Sequence, residues 1–231
     1  MPFDVTRRLT AEALGTGFLV MAVVGSGIMA AKLAGGNGAI ALLCNTIATG
    51  AVLYVLITIL APISGAHFNP AVSLVALLRG ELNWQTTLAY VAVQIVGGCL
   101  GAVAAHLMFG LDLLQLSSTA RTGLGQWAGE FIATFGLIGT ILGCVRFKPD
   151  AVAMAVGLYI TAAYWFTAST SFANPAVTIA RSLSDTFAGI APGDVTPFIV
   201  AELLGALAAA CLFAWLLAAP PAPAAPVKKA K

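Results

Sequence analysis

The chain has 231 residues, of which 60% are hydrophobic and only 9% charged, with a formal net charge of +2. Soluble domains carry roughly 25% charged residues, so these few charges cannot cover a water-facing surface, and most of the exterior must face lipid. The near-neutral balance excludes the basic footprint of a nucleic-acid binder.

A bilayer core of about 30 Å takes roughly 20 apolar helical residues per crossing. The first such run, 9–31, follows Arg7 and Arg8 and superficially resembles a secretory leader. It is longer than a leader's apolar core and continues past any small-residue cleavage site, so it is predicted to be a first transmembrane helix. Further runs at 38–60, 84–108, 127–146, 151–168 and 196–218 predict six crossings. Two shorter apolar pieces, 69–79 and 174–184, reach about half-way across a membrane at ~1.5 Å per residue. Each begins at Asn-Pro-Ala.

The segment 110–126 is the polar seam between two halves, and 219–231 is a Pro/Ala-rich tail expected to be disordered and cytoplasmic. If the runs alternate, Arg7, Arg8, Arg79, Arg146, Lys148, Lys228, Lys229 and Lys231 share one side. Lys32, Arg121 and Arg181 take the other. The more basic side is expected to be cytoplasmic, with both termini there. Cys44, Cys99, Cys144 and Cys211 all lie in apolar stretches without metal-ligand spacing and read as small buried hydrophobes.

The halves repeat. "AEALGTGFLV" opens the first and "GEFIATFGLI" the second; "VQIVGGCLGAVAA" closes the first and "AELLGALAAACLF" the second. Three full crossings per half make the repeat inverted, so the two short pieces enter from opposite faces and meet mid-membrane, where such folds build their sites. One transmembrane domain, 1–218, is predicted, with repeats over 8–108 and 127–218.

Asparagine is a preferred N-cap, and proline suits the first helical position. Asn69-Pro70-Ala71 and Asn174-Pro175-Ala176 are therefore predicted to start two half-helices. With each amide oxygen used in capping, the two NH2 groups would face each other at the pore centre. The two helix N-termini each carry roughly half a positive charge, which repels cations.

With "SGAHFNPAVS", "NPAVT", Glu12 in "AEALGT" and Glu130 in "GEFIATF", the chain resembles the aquaporin, or major intrinsic protein, family over residues 8–218. The resemblance implies an all-α membrane protein: a right-handed bundle of six transmembrane helices plus two re-entrant half-helices. It also implies a homotetramer in a lipid bilayer that passes small neutral solutes passively, without a cofactor or metal.

An ionised residue at mid-bilayer costs about 2.5–3.5 kcal/mol even on the gentlest scale. Glu12 and Glu130 are read as acceptors for backbone amides of the re-entrant loops, a usage the resemblance also implies, in preference to proton coupling. Gln94 and Glu202 are paired by the repeat in similar work or near the membrane ends. His67 is expected to line the cytoplasmic half of the pore; His106 has only a structural reading. Glycines 15, 17, 25, 27, 97, 98, 101, 136, 139, 143, 157 and 205 are packing residues.

Water-conducting relatives usually continue the second motif with arginine; here Val177 stands there. Counting from the motifs, as the resemblance suggests, gives an outer filter of Thr49, Ala162, Ser171 and Val177, with Tyr164 as the alternative to Ala162. With alanine this filter is wide, and it has no fixed charge, so size outweighs hydrogen bonding. Arg181 shares a helix face with Val177 and reads either as a cation at the outer mouth or as a side chain snorkelling to the interface. "NPAVT" resembles a bacterial subgroup associated with arsenic resistance, which implies arsenous acid, with methylated arsenicals, glycerol and water as further permeants in a bacterial inner membrane.

Competing classes fit less well. An ion-coupled secondary transporter needs a coupling site, and the intramembrane acids read as structural. A junction or scaffold protein has no need of paired pore motifs, and no nucleophile–base set suggests an enzyme.

Overall fold

The computed structural model describes residues 3–218; the predicted disordered tail lies outside them. Among the described residues the chain forms eight α-helices: α1 (Val5–Leu33), α2 (Gly38–Ser64), α3 (Pro70–Leu78), α4 (Trp84–Phe109), α5 (Leu124–Phe147), α6 (Val152–Phe166), α7 (Pro175–Arg181) and α8 (Pro192–Leu216). Five of them, α1, α2, α4, α5 and α8, are long and apolar enough to cross a membrane.

The ends have local causes. The Asp4 side chain accepts from Arg7 N–H at 2.9 Å, so α1 begins ahead of the apolar run and carries both arginines. Asn37 caps α2 through the N–H groups of Ala39 and Ile40, and Asn83 caps α4 through that of Thr86 at 2.8 Å. Gly65 and Gly110 end α2 and α4 in the left-handed conformation, φ 93° and 65°, which glycine adopts without a Cβ penalty.

The fifth crossing is shorter than the apolar run 151–168 predicts. A 3-10 turn at Pro149–Ala151 leads into α6, which has 15 residues and spans ~22 Å. It stops at Phe166 because Thr167 turns extended, φ −109° and ψ 139°, to start the second re-entrant loop.

The second half repeats the packing of the first. α1 lies against α2 and α4, as α5 lies against α6 and α8, and α2 meets α6 between the halves. Each half-helix touches the last long helix of both halves: α3 packs on α4 and α8, and α7 packs on α8 and α4. α3 and α7 also meet each other. Close approach depends on glycine where backbone faces backbone. A Cβ on Gly50 would stand 2.8 Å from the Gly157 carbonyl oxygen, and one on Gly157 would stand 2.7 Å from the Gly50 carbonyl oxygen. Gly97 faces the Ala13 carbonyl, and Gly101 that of Gly17, in the same way.

The apolar core between the halves includes Leu19, Val23, Leu53, Leu137, Ile160 and Val177. Many large apolar side chains point outward, among them Phe18, Ile47, Leu100, Phe166 and Trp215, as a lipid-facing surface requires. The cysteine reading needs correction: all four are free, but Cys44 and Cys211 are exposed on the outer face, and only Cys99 and Cys144 are partly covered.

Candidate functional site

The loops before α3 and α7 are largely buried, and their polar backbone with them. Buried N–H groups need partners, and a carboxylate supplies them in each half. The Glu12 carboxylate accepts from the N–H groups of His67 at 3.0 Å and Phe68 at 2.7 Å, from the Ser64 hydroxyl at 2.6 Å, and from Gln94 Nε2 at 2.8 Å. The Glu130 carboxylate accepts from the N–H groups of Phe172 at 2.9 Å and Ala173 at 2.7 Å. Glu202 takes the next amide, Asn174 N–H at 3.1 Å, and the Thr178 hydroxyl at 2.6 Å. Glu12, Glu130, Gln94 and Glu202 are all fully buried.

The loop backbone is strained at matching places. Ala66 and Phe68 have φ of 51° and 49°, and Ser171 and Ala173 have 52° and 49°; Thr170 adds a fifth left-handed residue. None is glycine, and such conformations persist only where surrounding contacts hold them. Here the glutamate-bound amides do so.

Asn69 and Asn174 cap α3 and α7: Asn69 Oδ1 accepts from Ala71 N–H at 2.9 Å, and Asn174 Oδ1 from Ala176 N–H at 3.0 Å and Val177 N–H at 3.3 Å. Pro70 and Pro175 take the first helical position, and Ala71 and Ala176 are fully buried behind them. The amide NH2 groups differ from the expected pair of facing donors. Asn69 Nδ2 donates across the molecule to the Ala173 carbonyl at 2.7 Å, and Asn174 Nδ2 to the Phe68 carbonyl at 2.8 Å. Each asparagine thereby ties its loop to the other and keeps a second N–H for the lumen.

A cavity of roughly 670 Å³ passes these residues, from Arg79, Glu81 and Asp150 at one end to Arg181 at the other. His67 lines it on the Arg79 side; its Nδ1 lies 3.0 Å from the Ser73 hydroxyl, and its ring meets Tyr90 edge-on. Thr49, Ser171 and Val177 line the opposite part. Ala162 does not: it is exposed on the outer face of α6, whereas Tyr164 is buried and lines the cavity. Two residues along a helix turn through about 200°, so the two cannot share a face. The Tyr164 hydroxyl stands 3.3 Å from Thr49 Oγ1. Of the two alternatives the sequence left open, Tyr164 and not Ala162 is thus in the cavity lining.

Arg181 departs from the snorkelling reading. It is 2% exposed and lines the cavity, with Nε bonded to the Ala188 carbonyl and the guanidinium carbon 3.3 Å from the centre of the Phe172 ring. Arg121 approaches the same ring at 5.0 Å. Sequence reasoning missed both Phe172 and Arg121. Phe172 stands two residues before Asn174, as His67 stands before Asn69, and that offset was the available signal. His106 is buried between Leu113 O at 3.1 Å and Ser184 Oγ at 2.9 Å, joining two loops away from the cavity.

Comparison with known proteins accords with this geometry. The family model described as Major intrinsic protein matches residues 2–148. The chain is 61% identical over 215 residues, 93% of its length and 92% of the relative's, to Aquaglyceroporin AqpS of Rhizobium meliloti (strain 1021). It is 31% identical over 221 residues to Aquaporin NIP1-1 of Arabidopsis thaliana, covering 90% of this chain and 72% of that one. Among solved structures, the aquaglyceroporin from Plasmodium falciparum superposes with a TM-score of 0.73 at 18% identity, covering 91% of this chain and 96% of that one, a likeness of fold.

Proposed function

The chain belongs to the major intrinsic protein family and is a multi-pass membrane channel for small solutes, not an enzyme; from that premise we propose that its permeants are small uncharged hydroxylated molecules, with arsenous acid foremost and glycerol and water beside it. The observation that carries this reading is Val177, lining the cavity directly after the second Asn-Pro-Ala where an arginine would narrow the passage. A valine contributes no N–H donor and less bulk. A neutral oxyacid then crosses without shedding the hydration of a charge.

The lining fits such a molecule. Thr49, Tyr164 and the spare N–H groups of Asn69 and Asn174 offer separate polar contacts along walls built from Leu19, Val23, Leu137 and Ile160. Small-solute sites commonly combine an apolar wall with a few placed polar groups. With Tyr164 rather than Ala162 in the lining, methylated arsenicals are expected to pass more slowly than arsenous acid. The same tyrosine supports a second reading, an ordinary water and glycerol channel.

The assembly and setting are proposed on separate grounds. An apolar groove between α1 and α4, lined by Ala13, Gly17, Val96, Gly97 and Leu100, offers a face for a homotetramer. The basic residues Arg7, Arg8, Arg79, Arg146 and Lys148 support termini on the cytoplasmic side of a bacterial inner membrane.

Stopped-flow shrinkage and reswelling of proteoliposomes with water, glycerol and arsenous acid decides between the readings. Arsenous acid should enter wild-type vesicles, and Val177→Arg should slow it by about tenfold or more, the scale on which one or two lost methylenes of room matter. Wild-type vesicles that shrink quickly but exclude arsenous acid would leave only the water and glycerol channel.

A further inference from the structure

The outer half of the cavity holds one charged side chain, and its setting differs from that of an ordinary buried arginine. Arg181 ends α7, four residues past Val177, and is enclosed to 2% exposure. A buried cation normally needs a carboxylate partner. Among the described residues the ion pairs are Arg7 with Asp4 and Arg79 with Glu81, and Arg181 has none. Its guanidinium makes one protein hydrogen bond there, from Nε to the Ala188 carbonyl. Among the described residues Nη1 and Nη2 have no hydrogen-bond partner, yet neither is sealed from open space, and the side chain lines the cavity.

Two contacts hold the guanidinium in place. The centre of the Phe172 ring lies 3.3 Å from the guanidinium carbon, and the ring attracts the cation. The Ala188 carbonyl, which is not part of the cavity lining, accepts from Nε. Arg121 stands against the same ring, and its Nε donates to the Gly189 carbonyl at 2.7 Å and its Nη1 to the Ser169 carbonyl at 3.3 Å. Residues four apart share a helix face, so the small side chain of Val177 leaves open the passage that Arg181 overlooks.

We propose that Arg181 is the selectivity cation of this pore, displaced one helical turn outward from the position Val177 occupies. Its Nη1 and Nη2 donate to the oxygens of a passing hydroxylated solute and replace part of its hydration. Its charge, added to the half-helix N-termini, keeps protons and metal cations out. The pore therefore carries a small apolar side chain at Val177 and its charge at Arg181, two places that one arginine after the second motif would combine. The inference rests on the channel reading but not on the arsenous acid reading.

The test uses the full chain in proteoliposomes loaded with a pH-sensitive dye, with an imposed membrane potential driving proton entry. Arg181→Met should raise proton entry by about tenfold or more, the scale of one unit charge near the axis at an effective dielectric of about 20. Arg181→Lys, which keeps the charge without the planar fork, should hold proton entry near wild type while changing the ratio of glycerol to water flux. Rescue by lysine separates a charge role from mere packing. Monodisperse Arg181→Met protein whose vesicles shrink osmotically and admit protons no faster than wild type overturns the proposal. If that variant does not fold, Phe172→Leu removes the platform instead: increased proton entry supports the proposal and unchanged entry overturns it. Arsenous acid exclusion by wild type would sink the metalloid reading alone, because this test reads protons, glycerol and water.

Discussion

Glu202 stands in the second half where Gln94 stands in the first, and the two make different use of the place. Gln94 Nε2 donates to Glu12 and to the Ser73 hydroxyl at 3.0 Å, whereas Glu202 accepts from Thr178, the residue that matches Ser73. Both acceptor bonds of Glu202 go to Oε1, and among the described residues its buried Oε2 accepts from no backbone amide or hydroxyl. A glutamine there keeps an oxygen for Asn174 N–H and Thr178 Oγ1 and removes an ionisable group from the membrane interior. Glu202→Gln should therefore leave the melting temperature in detergent unchanged or raised, while Glu202→Ala should cost about 1–3 kcal/mol by orphaning two buried donors. Equal losses in both variants would show that the carboxylate itself is required. At this scale the sequence was partly legible. The repeat paired Gln94 with Glu202, and a buried Glu12 or Glu130 has little to do in lipid except accept hydrogen bonds. That they serve the re-entrant loops was legible too; which loop amides they take, 42 to 56 residues along the chain, was not.

Among the elements, the half-helices were easy to see and the short sixth helix was not. Asn-Pro-Ala marks a cap, a first turn and an apolar continuation, so the starts of α3 and α7 at Pro70 and Pro175 follow from local chemistry. The end of α6 follows from nothing local: "TAAYWFTAST" continues the apolar run past Phe166. Counting back from Asn174 then fails, because the intervening loop contains the left-handed residues Thr170, Ser171 and Ala173 and does not advance like a helix or a strand. That is why Ala162 and Tyr164 could not be separated without the structure. The position of α6 depends instead on its contact with α2, where Gly50 and Gly157 bring the two backbones together. Gly157→Ala inserts a Cβ 2.7 Å from the Gly50 carbonyl oxygen, and backbone cannot swing aside as a side chain can. The expected loss is about 1–3 kcal/mol of stability, seen as a lower melting temperature in detergent. Tyr164, carried on the same helix, should move with it, so glycerol flux should fall as well. A variant with unchanged stability and flux would mean that α2 and α6 slide freely.

For the molecule as a whole, the two halves are held in register where their loops cross. The inverted repeat was legible because its signatures are short and doubled. The reciprocal bonds between the loops were hidden, since an asparagine's cap and its second partner use different ends of one amide and only the cap is local. Asn69 Nδ2 reaches Ala173 O, and Asn174 Nδ2 reaches Phe68 O, so each carbonyl belongs to the residue just before the other asparagine. The two bonds form one closed junction rather than two independent contacts: releasing either lets both loops part, and the strained residues Phe68 and Ala173 lie within it. Serine also caps helices well but lacks the amide donor, so Asn69→Ser and Asn174→Ser remove the crossing bonds and leave the caps. Each single variant should lower stability, and the double variant should lose less than the sum, with a coupling of about 0.5–3 kcal/mol. Thermal unfolding of the four proteins in one detergent measures that coupling directly. Strict additivity would mean that the halves are aligned by helix packing alone and that the crossing amides serve only the lumen. A clear coupling would make the same two side chains both the junction of the fold and part of the pore wall, so that no substitution could change the solute's contacts there without loosening the fold.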